Sequence, residues 1–148
     1  STESWFIRIP GLKIVYPSNA YDAKGLLLQA FEDPNPVLFF EHKALYRSQD
    51  SEVPEGYYTI PFGKANLLEE GKEITIVSYG LGIRWVRDWM DNNPEVSAEL
   101  IDLRTFVPLD SETIIDSVKK TGRCVIVQED IFRGSIGNDI SQIIQSKC

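Results

Sequence analysis

From Glu73 to the end of the chain, short apolar runs of strand length alternate three times with segments whose apolar residues recur every third or fourth position. "EITIVSYG", "AELIDL" and "CVIVQE" are the runs. After the first, Ile83, Val86, Trp89 and Met90 line one helical face, which ends at "NNP". After the second, Asp110 or Ser111 caps a helix whose face is Ile114, Ile115 and Val118, closed by Gly122. Ile136, Ile140, Ile143 and Ile144 mark the last helix. A helix between two strands of one sheet forces those strands to run parallel, and a parallel sheet has to be covered on both faces. The expected class is therefore α/β, with an open sheet between helical layers.

The first part of the chain repeats the unit once. "LKIVY", Leu12 to Tyr16, reads as a short buried strand between Pro-Gly and Pro. Ser18 or Asn19 supplies an N-cap, and Asp22 puts negative charge in the first turn, where the helix dipole favours it. Ala23, Leu26, Leu27, Ala30 and Phe31 form the apolar face, and "VLFFE" from Val37 to Glu41 is the returning strand. Between His42 and Gly71 the rhythm breaks into Pro, Gly and acidic residues, with an edge strand near Phe62 to Leu67. That stretch reads as a linker arriving on a second sheet.

The junction "QAFEDPNPV" raises a chemical question. In a helix the amide of residue i serves the carbonyl of residue i−4. Pro34 and Pro36 have no amide to offer Ala30 and Glu32, so the last carbonyls point outward at the negative end of the dipole. Asp33 and Asn35 add oxygens beside them. Such a set suits water, in which case the prolines only stop the helix. It also suits a hard or weakly hydrated cation, potassium included.

Charge and composition remove several classes of function. A net charge of −7 and a sequence pI near 4.7 argue against nonspecific nucleic-acid or anionic-membrane binding, which needs a basic face. No run approaches the roughly 18 apolar residues of a membrane span. Cys124 and Cys148 lack metal or redox spacing and His42 is the single histidine, so a transition-metal site from this chain alone is not expected. With no export signal and two unspaced cysteines, a reduced cytoplasmic setting is expected. "STESWF" opens without an initiator methionine and "SIGNDISQIIQSKC" breaks off after a helix, so a fragment of a longer protein is expected.

Read together, "IPGLKIVYPSNAYDAKGLLLQAFEDPNPVLFFEHKALYR", "EITIVSYGLG", "AELIDLRTFVPLD" and "KKTGRCVIVQED" resemble the beta chain of thiamine-diphosphate-dependent 2-oxoacid dehydrogenases over almost the whole chain. The resemblance implies that residues 1–53 are the end of a doubly wound parallel-sheet domain that binds the pyrimidine of thiamine diphosphate. Residues 54–148 are then most of a C-terminal transketolase-like α/β domain. It implies oxidative decarboxylation of a 2-oxoacid, with 2-oxoisovalerate favoured through "FFEHKALYR" and pyruvate next, and acyl transfer to a lipoyl group. A transketolase or deoxyxylulose-phosphate synthase, or a flavodoxin-like binding module, are the alternatives.

The same resemblance implies a potassium ion at the "AFEDPN" turn, held by Ala30, Phe31, Asp33 and Asn35 with further ligands upstream. Thiamine diphosphate and magnesium would be held mostly outside this chain, and no catalytic residue is assigned within it. The implied partners are an alpha chain or fused alpha half, a dihydrolipoyl acyltransferase, and a second copy through the C-terminal domain. The remaining conspicuous residues have plain readings. Glu41 and His42 are expected to contact a neighbouring subunit. "YGLG" and "RGSIG" are expected to be tight turns rather than anion sites. Arg104 is expected to pair with Asp102 or Glu129. Trp5, Phe6, Trp85 and Trp89 are expected in cores or subunit contacts.

Overall fold

The computed structural model describes residues 2–47 and 52–148. Residues 48–51 of the expected linker lie outside the described residues, as does Ser1.

Among the described residues there are seven strands and four α-helices, and all but one strand follow the order read from the sequence. The first unit is β1 (Lys13–Val15), α1 (Ala20–Glu32) and β2 (Val37–Phe39), and β1 and β2 pair in parallel with Ile14 opposite Leu38. Asn19 is the N-cap of α1, its side chain accepting from the Asp22 amide at 2.8 Å. β3 (Asn66–Glu69) comes next, close to the expected edge strand.

The second sheet is built by β4 (Ile74–Ser78), α2 (Leu81–Asn92), β5 (Ala98–Asp102), α3 (Ser111–Thr121), β7 (Cys124–Ile126) and α4 (Ile136–Lys147). Its strand order is β3-β5-β4-β7, with β4 parallel to both β5 and β7 and β3 antiparallel at the edge. Side chains alternate along β4. Ile76 joins Ile83, Val86 and Leu100 under α2, whereas Val77 joins Ile114, Val118, Ile136 and Ile140 under α3 and α4. The sheet is thus covered on both faces, as expected.

One strand escaped the sequence reading. β6 (Thr105–Val107) follows β5 directly and pairs antiparallel with β1, making a three-stranded sheet of order β2-β1-β6. The chain turns from one sheet into the other at Arg104, which adopts φ 58°. A left-handed conformation is costly for a residue with a side chain and needs firm contacts to hold it.

The stretch between the sheets is a strap rather than a free linker. Lys24 Nζ donates to the Pro54 and Gly56 carbonyls, and Tyr58 stacks on Tyr21 with ring centroids 4.7 Å apart. The Ile60 amide donates to the Gly25 carbonyl at 3.1 Å. Gly25 permits this approach, because a Cβ there would lie 2.6 Å from the Ile60 side chain.

Candidate functional site

Open parallel sheets bind ligands at the carboxyl ends of their strands, where the loops diverge. At that end of β1 and β2, against the N-terminus of α1, lies a cleft of about 310 Å³. Ser18, Asn19, Glu41, His42 and Tyr46 supply its polar lining. Most of these groups already hold partners. Tyr46 donates its hydroxyl to Glu41 at 2.6 Å, and that bond pushes the phenol's pKa up. His42 Nε2 lies 2.8 Å from Glu129 Oε2, and its Nδ1 accepts from the Ala44 amide at 3.2 Å. Within the chain, then, Glu41 and His42 are held by Tyr46, Ala44 and Glu129.

Behind the cleft is a buried ionic cluster. Arg104 does not give its guanidinium to Asp102 or Glu129, as the sequence reading expected, but to Asp22. Nε lies 2.9 Å and a terminal nitrogen 2.6 Å from the two Asp22 oxygens. The Arg104 backbone amide donates to Asp102 Oδ1 at 3.2 Å, and the Ser18 hydroxyl donates to Asp102 Oδ2. The left-handed turn at Arg104 explains the correction, since it sends the amide back to the strand and the side chain across to α1. Asp22 and Asp102 are both fully buried, and the guanidinium bonds Asp22 alone. Burial first, then the neighbouring Asp22 charge, push the Asp102 carboxyl up to about 7 despite Ser18 and Arg104.

A second buried contact joins the N-terminal turn to the residue that follows β4. Tyr79 donates to Glu3 at 3.1 Å, and Glu3 is 2% exposed. Tyr16 packs on Tyr79 with centroids 5.3 Å apart. Burial and then Glu3 push Tyr16 up to about 12 and Tyr79 further.

The glycine turns serve packing. Gly80 has φ 51°, and a Cβ there would lie 2.9 Å from the Tyr16 ring. Gly82 leaves room for Ser78 Oγ, which donates to the Val127 carbonyl at 2.8 Å. At the start of α4 the Gly137 amide donates to Gln128 Oε1 at 3.1 Å, so a side chain occupies the position an anion would take. Both motifs are turns, as expected.

The α1 exit matches the sequence argument in part. The Asp33 amide donates to the Gln29 carbonyl, and among the described residues no backbone amide serves Ala30, Phe31 or Glu32. Their carbonyls therefore present an open oxygen set. The Asp33 carboxylate is already engaged, one oxygen by the Lys13 ammonium and the other by the Asn35 amide and side chain, each at 3.0 Å. Lys13 first, then Asn35, hold that carboxyl down at about 2.

Among the described residues no group of three or more His, Cys, Asp or Glu side chains forms a metal cluster. No helix among them is long and apolar enough to cross a membrane. Of the conspicuous aromatics, Phe6 packs against the core beside Phe40, while Trp5 is 71% exposed. Trp85 and Trp89 are each about two-fifths exposed.

Comparison with known proteins places this geometry. Residues 63–148 match the C-terminal domain of transketolases, and residues 1–49 match the transketolase pyrimidine-binding domain. The chain is 46% identical over 150 residues to the beta subunit of 2-oxoisovalerate dehydrogenase from Bacillus subtilis, all of this chain and 46% of that protein. It is 49% identical over 135 residues to a beta subunit of pyruvate dehydrogenase from Mycoplasma genitalium, 87% of this chain and 40% of that one. The chain thus spans less than half the length of these relatives. A solved split-gene transketolase, in an inactive beta4 tetramer, superimposes with a TM-score of 0.79 over 97% of this chain and 47% of its own, at 23% identity. That likeness carries the fold alone.

Proposed function

The chain belongs to the transketolase C-terminal domain family, and on that premise we propose that it is a section of the beta chain of a thiamine-diphosphate-dependent 2-oxoacid dehydrogenase. The whole protein decarboxylates a 2-oxoacid oxidatively and passes the acyl group to a lipoyl arm. The observation that carries this reading is similarity over the whole of this chain, at 46% identity, to a 2-oxoisovalerate dehydrogenase beta subunit. The pyruvate dehydrogenase relative is equally similar. We place 2-oxoisovalerate first because "FFEHKALYR" resembles that branch, and pyruvate next.

Thiamine diphosphate, when bound, supplies the electron sink for loss of carbon dioxide. This chain contributes scaffold: residues 1–53 close the pyrimidine-binding domain and residues 54–148 form most of the C-terminal domain. Its own residues fix the two against each other through Asp22–Arg104 and Glu3–Tyr79. No described side chain here is assigned to the diphosphate or to magnesium. The donor chemistry at the α1 exit does fit a weakly hydrated monovalent cation. We assign potassium to the carbonyls of Ala30 and Phe31 with oxygens of Asp33 and Asn35. The partners that follow are an alpha chain or fused alpha half, a dihydrolipoyl acyltransferase and a second beta chain. The free Cys124 and Cys148 support a cytoplasmic setting.

The test is turnover by the full-length protein with its alpha part, thiamine diphosphate and magnesium. Branched-chain 2-oxoacids are expected to give a higher kcat/KM than pyruvate. The reverse order would move the assignment to pyruvate. Transfer of ketol groups between sugar phosphates, with no 2-oxoacid consumed, would replace the reading by a transketolase.

A further inference from the structure

Sequence spacing gives Cys124 and Cys148 no motif, but the fold brings these two thiols to one place. Cys124 opens β7 and packs with Ile126 on the core beneath α3 and α4. α4 follows β7 and packs alongside α3, and its last turns return to the level of Cys124. A cleft of about 250 Å³ marks that return: Cys124 and Val118 line it together with Ser141, Ile144 and Gln145 of α4.

Cys148 continues the same helical face. It follows Ser141, Ile144 and Gln145 at the spacings that share one side of a helix. Its amide donates to the Ile144 carbonyl at 2.9 Å, so the last turn is intact. Its Sγ lies 3.8 Å from the Ile115 carbonyl oxygen, which turns the thiol towards α3. Burial first, and then Cys148, push the Cys124 thiol up to about 11, so the two sulfurs lie within electrostatic reach of each other.

The two thiols differ in kind, because Cys148 is exposed and Cys124 is partly buried. An exposed sulfur meets a small oxidant from solution, whereas a sheltered one with a raised pKa reacts only with a neighbour already beside it.

We propose that Cys148 and Cys124 form a reversible disulfide when a peroxide reaches Cys148, stapling the end of α4 to the start of β7. The Cys148 thiolate attacks one peroxide oxygen and the O–O bond breaks. The departing hydroxide takes up the proton that Cys148 released, which leaves a sulfenic acid and one water. The Cys124 sulfur then attacks the Cys148 sulfur and the S–O bond breaks, and the hydroxide leaves with the Cys124 proton as a second water. Two electrons have passed from the thiol pair to the peroxide. A dithiol reverses the bond by exchange. The inference is independent of which substrate the protein takes.

Thiol mapping of the full-length protein tests it. The protein is treated with hydrogen peroxide, its remaining thiols are capped with N-ethylmaleimide, and its tryptic peptides are measured by mass spectrometry. Cleavage at Arg123, Arg133 and Lys147 puts the two cysteines on separate peptides. The expected product is those two peptides joined, lighter by two hydrogen atoms and separated again by dithiothreitol, from a chain that runs as a monomer on a non-reducing gel. Cys148→Ser is expected to slow oxidation of Cys124 at least about tenfold. Cys124→Ser is expected to leave Cys148 as a sulfenic acid that dimedone traps. Both cysteines still capped after peroxide, Cys148 carried on to a sulfinic acid in the parent protein, or Cys148 joined to another thiol or another chain would overturn the proposal. Equal oxidation of Cys124 with and without Cys148 would overturn it as well.

Discussion

Arg104 grips Asp22 with two guanidinium nitrogens, at 2.6 and 2.9 Å, across a sequence separation of 82 residues. The pair is the only ionic bond between α1 and the β5–β6 corner among the described residues. It also balances one of the two carboxylates buried there. Removing the cation leaves the buried Asp22 carboxylate uncompensated, and breaking a buried pair from one side costs about 3–5 kcal/mol. Arg104→Met in the full-length protein should therefore lower the urea midpoint sharply. Adding Asp22→Asn should recover part of the loss, because no full charge is then stranded at Asp22. Additive losses in the double variant would show that the two side chains are not coupled.

Asp102 gives the fold a pH dependence of predictable sign. Burial, and then Asp22, raise its carboxyl to about 7, against an unfolded value near 3.9. The native state therefore keeps a proton that the unfolded chain releases. The associated stability is complete below about pH 4, falls as pH rises, and is gone above about 7. Asp102→Asn has no such titration and the same shape. Relative to the parent it should be more stable at pH 8 than at pH 5, by about 2–4 kcal/mol. Parallel curves for the two proteins would mean that Asp102 is ionised throughout.

Two glycines should respond to alanine in opposite degree. A Cβ at Gly71 would lie 2.2 Å from the Ala98 carbonyl carbon and 2.4 Å from the Glu99 amide nitrogen, both backbone atoms that cannot step aside. Gly71→Ala should cost about 3 kcal/mol or more and displace β4 from β5. Gly122 ends α3 with φ 69° and nothing within 4 Å of a Cβ, so alanine there meets only the left-handed penalty, about 1 kcal/mol. Equal losses in thermal or urea unfolding would refute the steric account.

These positions also mark what sequence can reveal. The helices and central strands were legible because period and run length are local: Ile83, Val86 and Met90 announce α2 before any contact is known. The start of α1 was legible for the same reason, through Asn19 and Asp22. β6 was not, since "TFV" is a three-residue segment whose strand character comes from pairing with β1, about 90 residues upstream. The partner of Arg104 was hidden likewise. Asp22 reads as an ordinary first-turn acid, and nothing nearby shows that a left-handed residue far along the chain will aim a guanidinium at it. Gly25 carried a weak signal, a glycine inside an amphipathic helix, which the crossing strap accounts for.

The α1 exit joins a sequence argument to a structural complication, and that makes the potassium assignment easy to test. The open carbonyls of Ala30 and Phe31 favour a cation, while the Lys13 ammonium already sits on the Asp33 carboxylate. Because Lys13, then Asn35, hold that carboxyl down at about 2, the carboxylate persists through all neutral and mildly acidic conditions. Its contribution to stability is present above the unfolded value near 3.9 and is lost as pH falls through about 2. At pH 7 the full-length protein should melt about 3 °C or more higher in potassium than in sodium at equal ionic strength. Asp33→Ala should erase most of that difference. Lys13→Met should enlarge it, since the competing ammonium is gone and the carboxylate is left to the ion. If Lys13→Met only lowers the melting temperature, equally in both salts, then Lys13 is the sole cation of this turn and the potassium assignment falls.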